Sequence, residues 1–203
     1  SILFAALLST LPFASASAYE AGDLILRAGA ANANPDASSS EVRLAGAGIA
    51  GSSVDVDDNT QLGLTGTYMI SDSLGIGLLA ATPFKHDVSA SGIGISKVAT
   101  VEHLPPTLTL QYFPIKGDTP VQPYFGLGVN YTTFFSEETS DELNGALGDS
   151  DISLDDSFGL ALEAGVDVAL NQNWIFNAAI WRLDLDTDAT MTSPAGQVTV
   201  DVE

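Results

Sequence analysis

The chain has 203 residues, of which 45% are hydrophobic and only 16% charged, yet its formal net charge is −20. Few charges with so large an imbalance mean that the acidic groups sit in a few polar stretches, apart from the apolar ones. The lack of cysteine excludes a disulfide scaffold, thiolate zinc sites and cysteine nucleophiles, and the acidic balance argues against nucleic acid as a partner.

Residues 1–18 (SILFAALLSTLPFASASA) carry no charge, hold an apolar run from Ile2 to Leu8 and end in Ala16-Ser17-Ala18, a small-x-small pattern that a signal peptidase accepts. Cleavage is expected before Tyr19, leaving one domain over 19–203. A buried helix or strand is the alternative, which Pro12 and the Ala/Ser tail suit poorly. With no Met and no basic residue ahead of the apolar run, the signal is expected to begin a few residues before Ser1. No later segment reaches the length of apolar sequence that a membrane helix needs, so a bilayer has to be crossed by a closed sheet.

Period-two alternation recurs from Tyr19 onward. The first strand sets Leu24, Leu26, Ala28 and Ala30 against Asp23, Ile25, Arg27 and Gly29. A second sets Leu62, Leu64, Tyr68 and Ile70 against Gln61, Gly63, Thr65 and Thr67. The third carries Gly75, Gly77, Leu79 and Ala81 on one face and reaches Pro83. A fourth, after Pro105-Pro106, opposes Leu108, Leu110 and Tyr112 to Thr107, Thr109 and Gln111. The fifth opposes Phe125, Leu127, Val129 and Tyr131 to Tyr124, Gly126, Gly128 and Asn130. The sixth is the clearest, with Phe158, Leu160, Leu162, Ala164, Val166, Val168 and Leu170 opposite Ser157, Gly159, Ala161, Glu163, Gly165 and Asp167. Its length exceeds the ~5 to 6 residues usual in soluble sandwiches and suits a tilted membrane strand of ~9 to 11. A seventh alternates Trp181, Leu183 and Leu185 with Arg182, Asp184 and Asp186, and Val198 to Glu203 is read as the start of an eighth. Faces bearing Gly, Thr, Gln, Asn, Arg and Glu are too polar for lipid and are placed inward, so Asp23, Arg27, Gln61, Glu163 and Asp167 are expected to line the lumen.

Connections alternate in length. Ser71-Asp72-Ser73, Pro114 to Val121 and Asn171-Gln172-Asn173 are short; polar stretches near 32–58, 87–100, 136–153 and 187–197 are long, and they hold most of the acidic residues. Short periplasmic turns and long external loops are the pattern of an outer-membrane β-barrel. Tyr68, Tyr112, Phe113, Tyr124, Phe125, Trp174 and Phe176 flank the short turns as an interfacial girdle. Bacterial single-chain barrels have even strand numbers, so the eighth strand is expected to continue past Glu203.

Pro83 and the pair Pro105-Pro106 lie on strands joined by one long connection, at comparable heights. Each lacks an N–H, so they predict either a weakened seam through which an apolar solute could leave sideways, or merely strand ends or a bulge. His86 and His103 flank the same connection and could approach one another, but two histidines without a third ligand do not make a metal site. The run Asp149 to Asp156 lacks the central Gly and final Glu of an EF-hand loop. No nucleophile, base and orienting group can be connected, so neither an enzyme nor a cofactor is expected.

The chain resembles the OmpW family of outer-membrane proteins, OprG-like and AlkL-like proteins among them. The likeness is carried by Glu20 to Asp23, Asn59 to Thr65 with Tyr68-Met69, Leu78 to Phe84, His103 to Leu108, Gly128 to Phe135, and Trp181 with Asp184 to Thr187. It implies an eight-stranded barrel in the bacterial outer membrane, in contact with lipid and lipopolysaccharide, folded by the outer-membrane assembly machinery and passing small hydrophobic solutes sideways into the membrane. Leu79 and Trp181 match the family's apolar constriction. The residues alone leave Leu79 free to face lumen or lipid, and bilayer cost alone turns Arg182 and Asp184 inward and Trp181 outward. Both arguments hold if this part of the strand projects above the hydrocarbon layer. Two other readings stand beside the conduit: a structural or surface-interaction barrel binding cations, lipopolysaccharide or a phage, and a channel for small polar solutes such as amino acids, suggested by inward Asp23, Arg27, Glu163 and Asp167 unless these pair as a plug.

Overall fold

The structure, a computed structural model, describes residues 2–5, 19–35, 43–44, 47–48, 53–91, 97–117, 119–171, 173–194 and 196–202. In chain order the elements are β1 (Ile2–Ala5), β2 (Leu24–Ala33), β3 (Arg43–Leu44), β4 (Ala47–Gly48), β5 (Ser53–Val56), β6 (Asn59–Ser71), β7 (Leu74–Ala81) and β8 (Phe84–Ser91). There follow β9 (Lys97–Leu104), β10 (Thr107–Tyr112), β11 (Val121–Thr139), α1 (Asp141–Leu147), β12 (Asp151–Leu154), β13 (Ser157–Ala169), β14 (Ile175–Leu183), β15 (Thr187–Ser193) and β16 (Gly196–Val202).

Eight of these strands form a closed antiparallel wall in the order β10-β7-β6-β2-β1-β14-β13-β11, and β11 returns to β10. Closure satisfies the backbone where no water is available to do so. The eighth place is taken by β1, part of the segment read from sequence as an export signal: Ile2 to Phe4 pair with Trp181 to Ala179 of β14, and Ile2 to Ala5 with Ala33 to Ala30 of β2. Gly196–Val202 does not enter this wall. It folds back on β15 from Ser193↔Gly196 to Thr187↔Val202, in a sheet ordered β12-β15-β16-β3-β4. β15 follows β14 beyond the wall and β16 pairs back along it, so the described residues of the expected eighth strand lie in this extension.

Alternation translates directly into wall faces. Leu24, Leu62, Leu64, Leu108, Leu110, Leu127, Phe158, Leu160 and Leu162 are exposed on the outside, whereas Arg27, Thr67, Gln111, Asn130, Glu163 and Asp167 on the alternate positions are buried within. An outward apolar band over an inward polar one is the inverse of a soluble fold and the signature of a wall immersed in lipid. Tyr68, Tyr112, Phe125 and Phe176 stay on the outside, but Phe113 and Tyr124 turn inward and are each 1% exposed. These two therefore belong to the lumen, not to the girdle: one residue of register moves a side chain to the opposite face.

The long connections are more ordered than a loop reading implies. The β7 and β10 strands of the wall continue beyond the prolines as β8 and β9, which pair with each other, with β5, and with the far half of β11. On their outer faces Lys85 Nζ lies 3.6 Å from Glu102 and Lys97 Nζ 2.9 Å from Asp87, so this extension stands clear of the hydrocarbon layer. The short α1 is capped by Ser140, whose hydroxyl accepts from the Leu143 N–H, and carries Asp141 and Glu142 in its first turn.

Leu127 is 60% exposed on the outer face of β11. Leu127→Arg should destabilise the barrel by ~2–4 kcal/mol if the residue lies near the bilayer midplane, read from urea unfolding in lipid vesicles. An unchanged midpoint would place this face outside the hydrocarbon.

Candidate functional site

At the short-turn end a hydrogen-bonded network spans the lumen. Arg27 on β2 reaches across to Asp167 on β13: its Nε donates to Oδ1 at 2.8 Å and its second terminal nitrogen donates to Oδ2. This two-pronged geometry suits a planar guanidinium facing a carboxylate. The remaining guanidinium nitrogen donates to Thr67 Oγ1 at 2.8 Å, and that hydroxyl donates to Gln111 Oε1 at 2.8 Å. Gln111 Nε2 then donates to Glu163 Oε2 at 2.7 Å, which also accepts from Thr109 at 3.3 Å. Asn177 Nδ2 donates to Asp167 Oδ1 at 2.8 Å and Tyr19 OH to Oδ2 at 2.7 Å. The Arg27 guanidinium also lies 4.9 Å from the centroid of the Tyr124 ring, and an aromatic series Tyr19, Phe113, Tyr124 fills the rest, with centroids 5.1 and 5.2 Å apart.

Small residues on facing strands make room for this floor. A Cβ on Gly165 would stand 2.4 Å from the Tyr124 ring, and one on Gly126 would stand 2.6 Å from Glu163 Oε2. The lumen carboxylates and guanidinium thus bond to one another and to neighbouring amides and hydroxyls. Of the five polar residues expected in the lumen, Arg27, Glu163 and Asp167 are in this network. Gln61 is higher, accepting from Thr82 Oγ1 at 3.0 Å and donating to Asn59 Oδ1 at 2.9 Å. Asp23 is a correction: it lies at the rim, where its carboxylate accepts from the Glu20 N–H at 2.9 Å in an exposed turn. It precedes β2, and a side chain so close to the strand start serves the turn.

Above the floor the lumen becomes apolar. Leu79 on β7 is 1% exposed and Trp181 on β14 is 3% exposed, so both point inward. With Phe84, Ala31 and Ala33 they belong to one buried cluster. On the other face of β14, Arg182 and then Asp184 beyond the strand are exposed, with Arg182 Nε 3.9 Å from Asp184 Oδ1. An inward Trp181 with outward, solvated charges is the arrangement that reconciles bilayer cost with the likeness.

The wall beside Leu79 is interrupted. The β7 to β10 ladder ends at Leu79↔Thr107 and pairing resumes at Phe84↔His103, so no ladder pair joins Ala80–Pro83 to Leu104–Pro106. Each segment is nevertheless fixed on its other side. Gly63 pairs with Ala81, Thr82 N donates to Leu62 O at 2.9 Å, Pro106 O accepts from Tyr131 N at 3.1 Å, and β11 runs unbroken past the gap. The prolines remove donors on both margins, which explains why the ladder fails here.

Three rings stack just above the break and a fourth meets them at a tilt. Phe84 follows Pro83 and lies opposite His103; His86 is the next inward residue on β8, and Phe134 on β11 lies opposite His103. The His86 and His103 rings stack at 4.9 Å and 13°, with Phe84 at 5.5 Å and Phe134 at 5.8 Å from His103. Burial and the neighbouring His86 push His103 down to about 3; burial also lowers His86, outweighing the Asp57 carbonyl and the Asp58 and Asp57 charges. The approach of the two histidines is foreshadowed by their places in the chain, whereas the phenylalanines that complete the stack are not.

Arg27→Met leaves Asp167 buried without its cation and should cost about 3–5 kcal/mol in unfolding free energy, while the double variant Arg27→Met/Asp167→Leu should lose much less; equal losses would mean the pair does not hold the floor. For the histidines, the neutral rings are favoured in the folded protein, so stability should fall as pH drops from the ordinary histidine value of 6.5 towards about 3. Amide exchange in β8 and β9 that stays flat over this window would contradict the stack.

The OmpW family profile matches residues 20–203. The chain is 45% identical over 184 residues to outer membrane protein W of Salmonella typhimurium, covering 90% of this chain and 82% of that one. It is 32% identical over 167 residues to the dibenzothiophene metabolism operon protein PahQ of Pseudomonas aeruginosa, covering 81% of this chain and 74% of the other. Among solved structures, the crystal structure of the outer membrane protein OprG from Pseudomonas aeruginosa superposes with a TM-score of 0.87 at 46% identity, over 91% of this chain and 90% of that one. An outward apolar wall, a closed strand order and these relatives agree: the chain is an outer-membrane β-barrel and belongs to the OmpW family.

Proposed function

We propose that the barrel passes small hydrophobic molecules from outside the cell to the outer membrane's interior. They descend from the mouth, meet the apolar collar of Leu79 and Trp181, and leave sideways through the gap bordered by Pro83, Pro105 and Pro106. The observation that carries this reading is the missing ladder between Ala80–Pro83 and Leu104–Pro106, with the β7 to β10 ladder on one side of it and the β8 to β9 ladder on the other. An unpaired stretch of backbone at the edge of hydrocarbon is costly, and it is tolerated where it lines a path.

The floor supports the same route. A solute that passed the collar would meet Arg27 and Asp167 bonded to each other and braced by Thr67 and Asn177, with Gln111 and Glu163 alongside, and Tyr19, Phe113 and Tyr124 packed below. Transport of polar solutes along the axis would require this network to come apart, so we assign Arg27, Glu163 and Asp167 a sealing role. An apolar collar also favours solutes that do not need water with them. One relative's name points the same way: PahQ is named for an operon of dibenzothiophene metabolism, and dibenzothiophene is a flat, apolar heteroaromatic.

Uptake of an apolar fluorescent tracer by cells with and without the protein is the test of the conduit. Faster uptake with the protein is expected; equal rates would remove the function. Pro83→Thr combined with Pro106→Thr restores two N–H donors to the margins of the gap and should slow uptake several-fold without loss of barrel assembly. A rate unchanged in a fully assembled double variant would take the gap out of the path.

A further inference from the structure

The ring stack above the gap contains one group that structural packing does not account for. His86 is 3% exposed, and its Nδ1 lies 2.6 Å from the backbone carbonyl oxygen of Asp57. A carbonyl can only accept, so Nδ1 carries the proton and donates, and in the neutral ring Nε2 is left as an acceptor with an in-plane lone pair. That Nε2 is buried and has no hydrogen-bond partner among the described residues. A buried acceptor without a donor destabilises the resting protein, and its presence calls for a reason.

A metal does not supply that reason. The facing His103 ring is stacked nearly parallel at 4.9 Å, so the in-plane lone pairs of the two rings run side by side and cannot converge on one ion. Among the described residues no group of three or more His, Cys, Asp or Glu side chains is placed to hold a metal.

The His86 ring has aromatic neighbours: Phe84 and His103 stack on it and on each other, and Phe134 meets His103 at a 45° tilt. Phe84 is also part of the apolar cluster that contains Leu79 and Trp181, so the stack is continuous with the collar and adjoins the gap at Pro83. Ring-on-ring contacts are individually weak and can be replaced in kind by another planar ring, whereas a saturated solute would lose them. We infer that the stack is a selectivity site for planar aromatic solutes bearing one N–H or O–H, such as indoles and phenols, whose polar hydrogen is accepted by His86 Nε2 while the ring inserts among Phe84, His103 and Phe134. The site deepens the conduit reading and rests on it. It gives the path a preference for solutes that are apolar over most of their surface yet carry one donor, which a purely apolar collar would disfavour.

The test uses indole and 1-methylindole, which share a ring system and differ in the donor, as competitors of a pyrene tracer whose uptake depends on the protein. In the wild type, indole should block tracer uptake at a concentration about three- to tenfold lower, relative to 1-methylindole, than in His86→Phe, which keeps a flat ring and lacks the acceptor. If the relative potency of the two competitors is the same in wild type and His86→Phe, the site is wrong while the conduit stands. If tracer uptake is independent of the protein, the conduit itself falls and the site with it. Should His86→Phe fail to assemble, the nitrogen resonance of His86 Nε2 in the wild-type protein decides: a shift on adding indole and none on adding 1-methylindole supports the site, and equal responses overturn it.

Discussion

Every peptide group that crosses hydrocarbon needs a partner within the protein, and this one requirement shapes the molecule. It forces the strands into a closed ring, it turns apolar side chains outward, and it gives meaning to the place where the ring is not fully laced. A missing ladder bond on the surface of a soluble protein is filled by water and says little. The same omission between Ala80–Pro83 and Leu104–Pro106, next to a wall of outward Leu78 and Leu108, stands beside lipid. The sequence builds the gap with prolines on both margins, so it cannot close by a small shift of register, and it anchors each margin to the strand behind, so it does not spread.

The network at one end complements the gap on the side. Arg27 and Asp167 lie on strands that do not adjoin in the wall, and the bond between them is a strut across the lumen. A buried ion pair seldom adds much stability over an apolar pair of the same shape, but breaking one partner away is costly. That asymmetry suits a floor: it is indifferent to what lies above and hard to open. Thr67 accepts from the guanidinium, Asn177 donates to the Asp167 carboxylate, and Gln111 and Thr109 donate to Glu163, so the strut is tied to the strands around it.

The strand faces were legible because a wall between lipid and lumen imposes a period of two over long stretches. A run as long as Ser157–Ala169, with Phe158, Leu160 and Leu162 all on one side, can be turned only one way. The floor was legible only in part. Alternation puts Thr67, Gln111 and Tyr124 on the inner face, but most of their partners lie on non-adjacent strands, and no local pattern encodes which of them meet. The same limit hid the role of Phe84 and Phe134, whose meeting with the histidines depends on how β8, β9 and the far half of β11 pair above the gap. Val198 to Val202 does form a strand, but its partner β15 lies beyond the wall, and alternation alone does not tell at which height a strand pairs.

Sideways exit makes a claim about order of arrival, and that order can be measured. Purified barrel in vesicles is given a fluorescent apolar solute from the mouth side, with a quencher either attached to the lipid chains or dissolved in the enclosed water, and quenching is followed by stopped flow. Lateral exit predicts that the protein accelerates quenching by the lipid-bound quencher and that quenching in the enclosed water follows later, at the rate of the protein-free bilayer. Acceleration of the aqueous signal ahead of the lipid signal would mean that solutes pass the Arg27 and Asp167 floor, and would contradict the route.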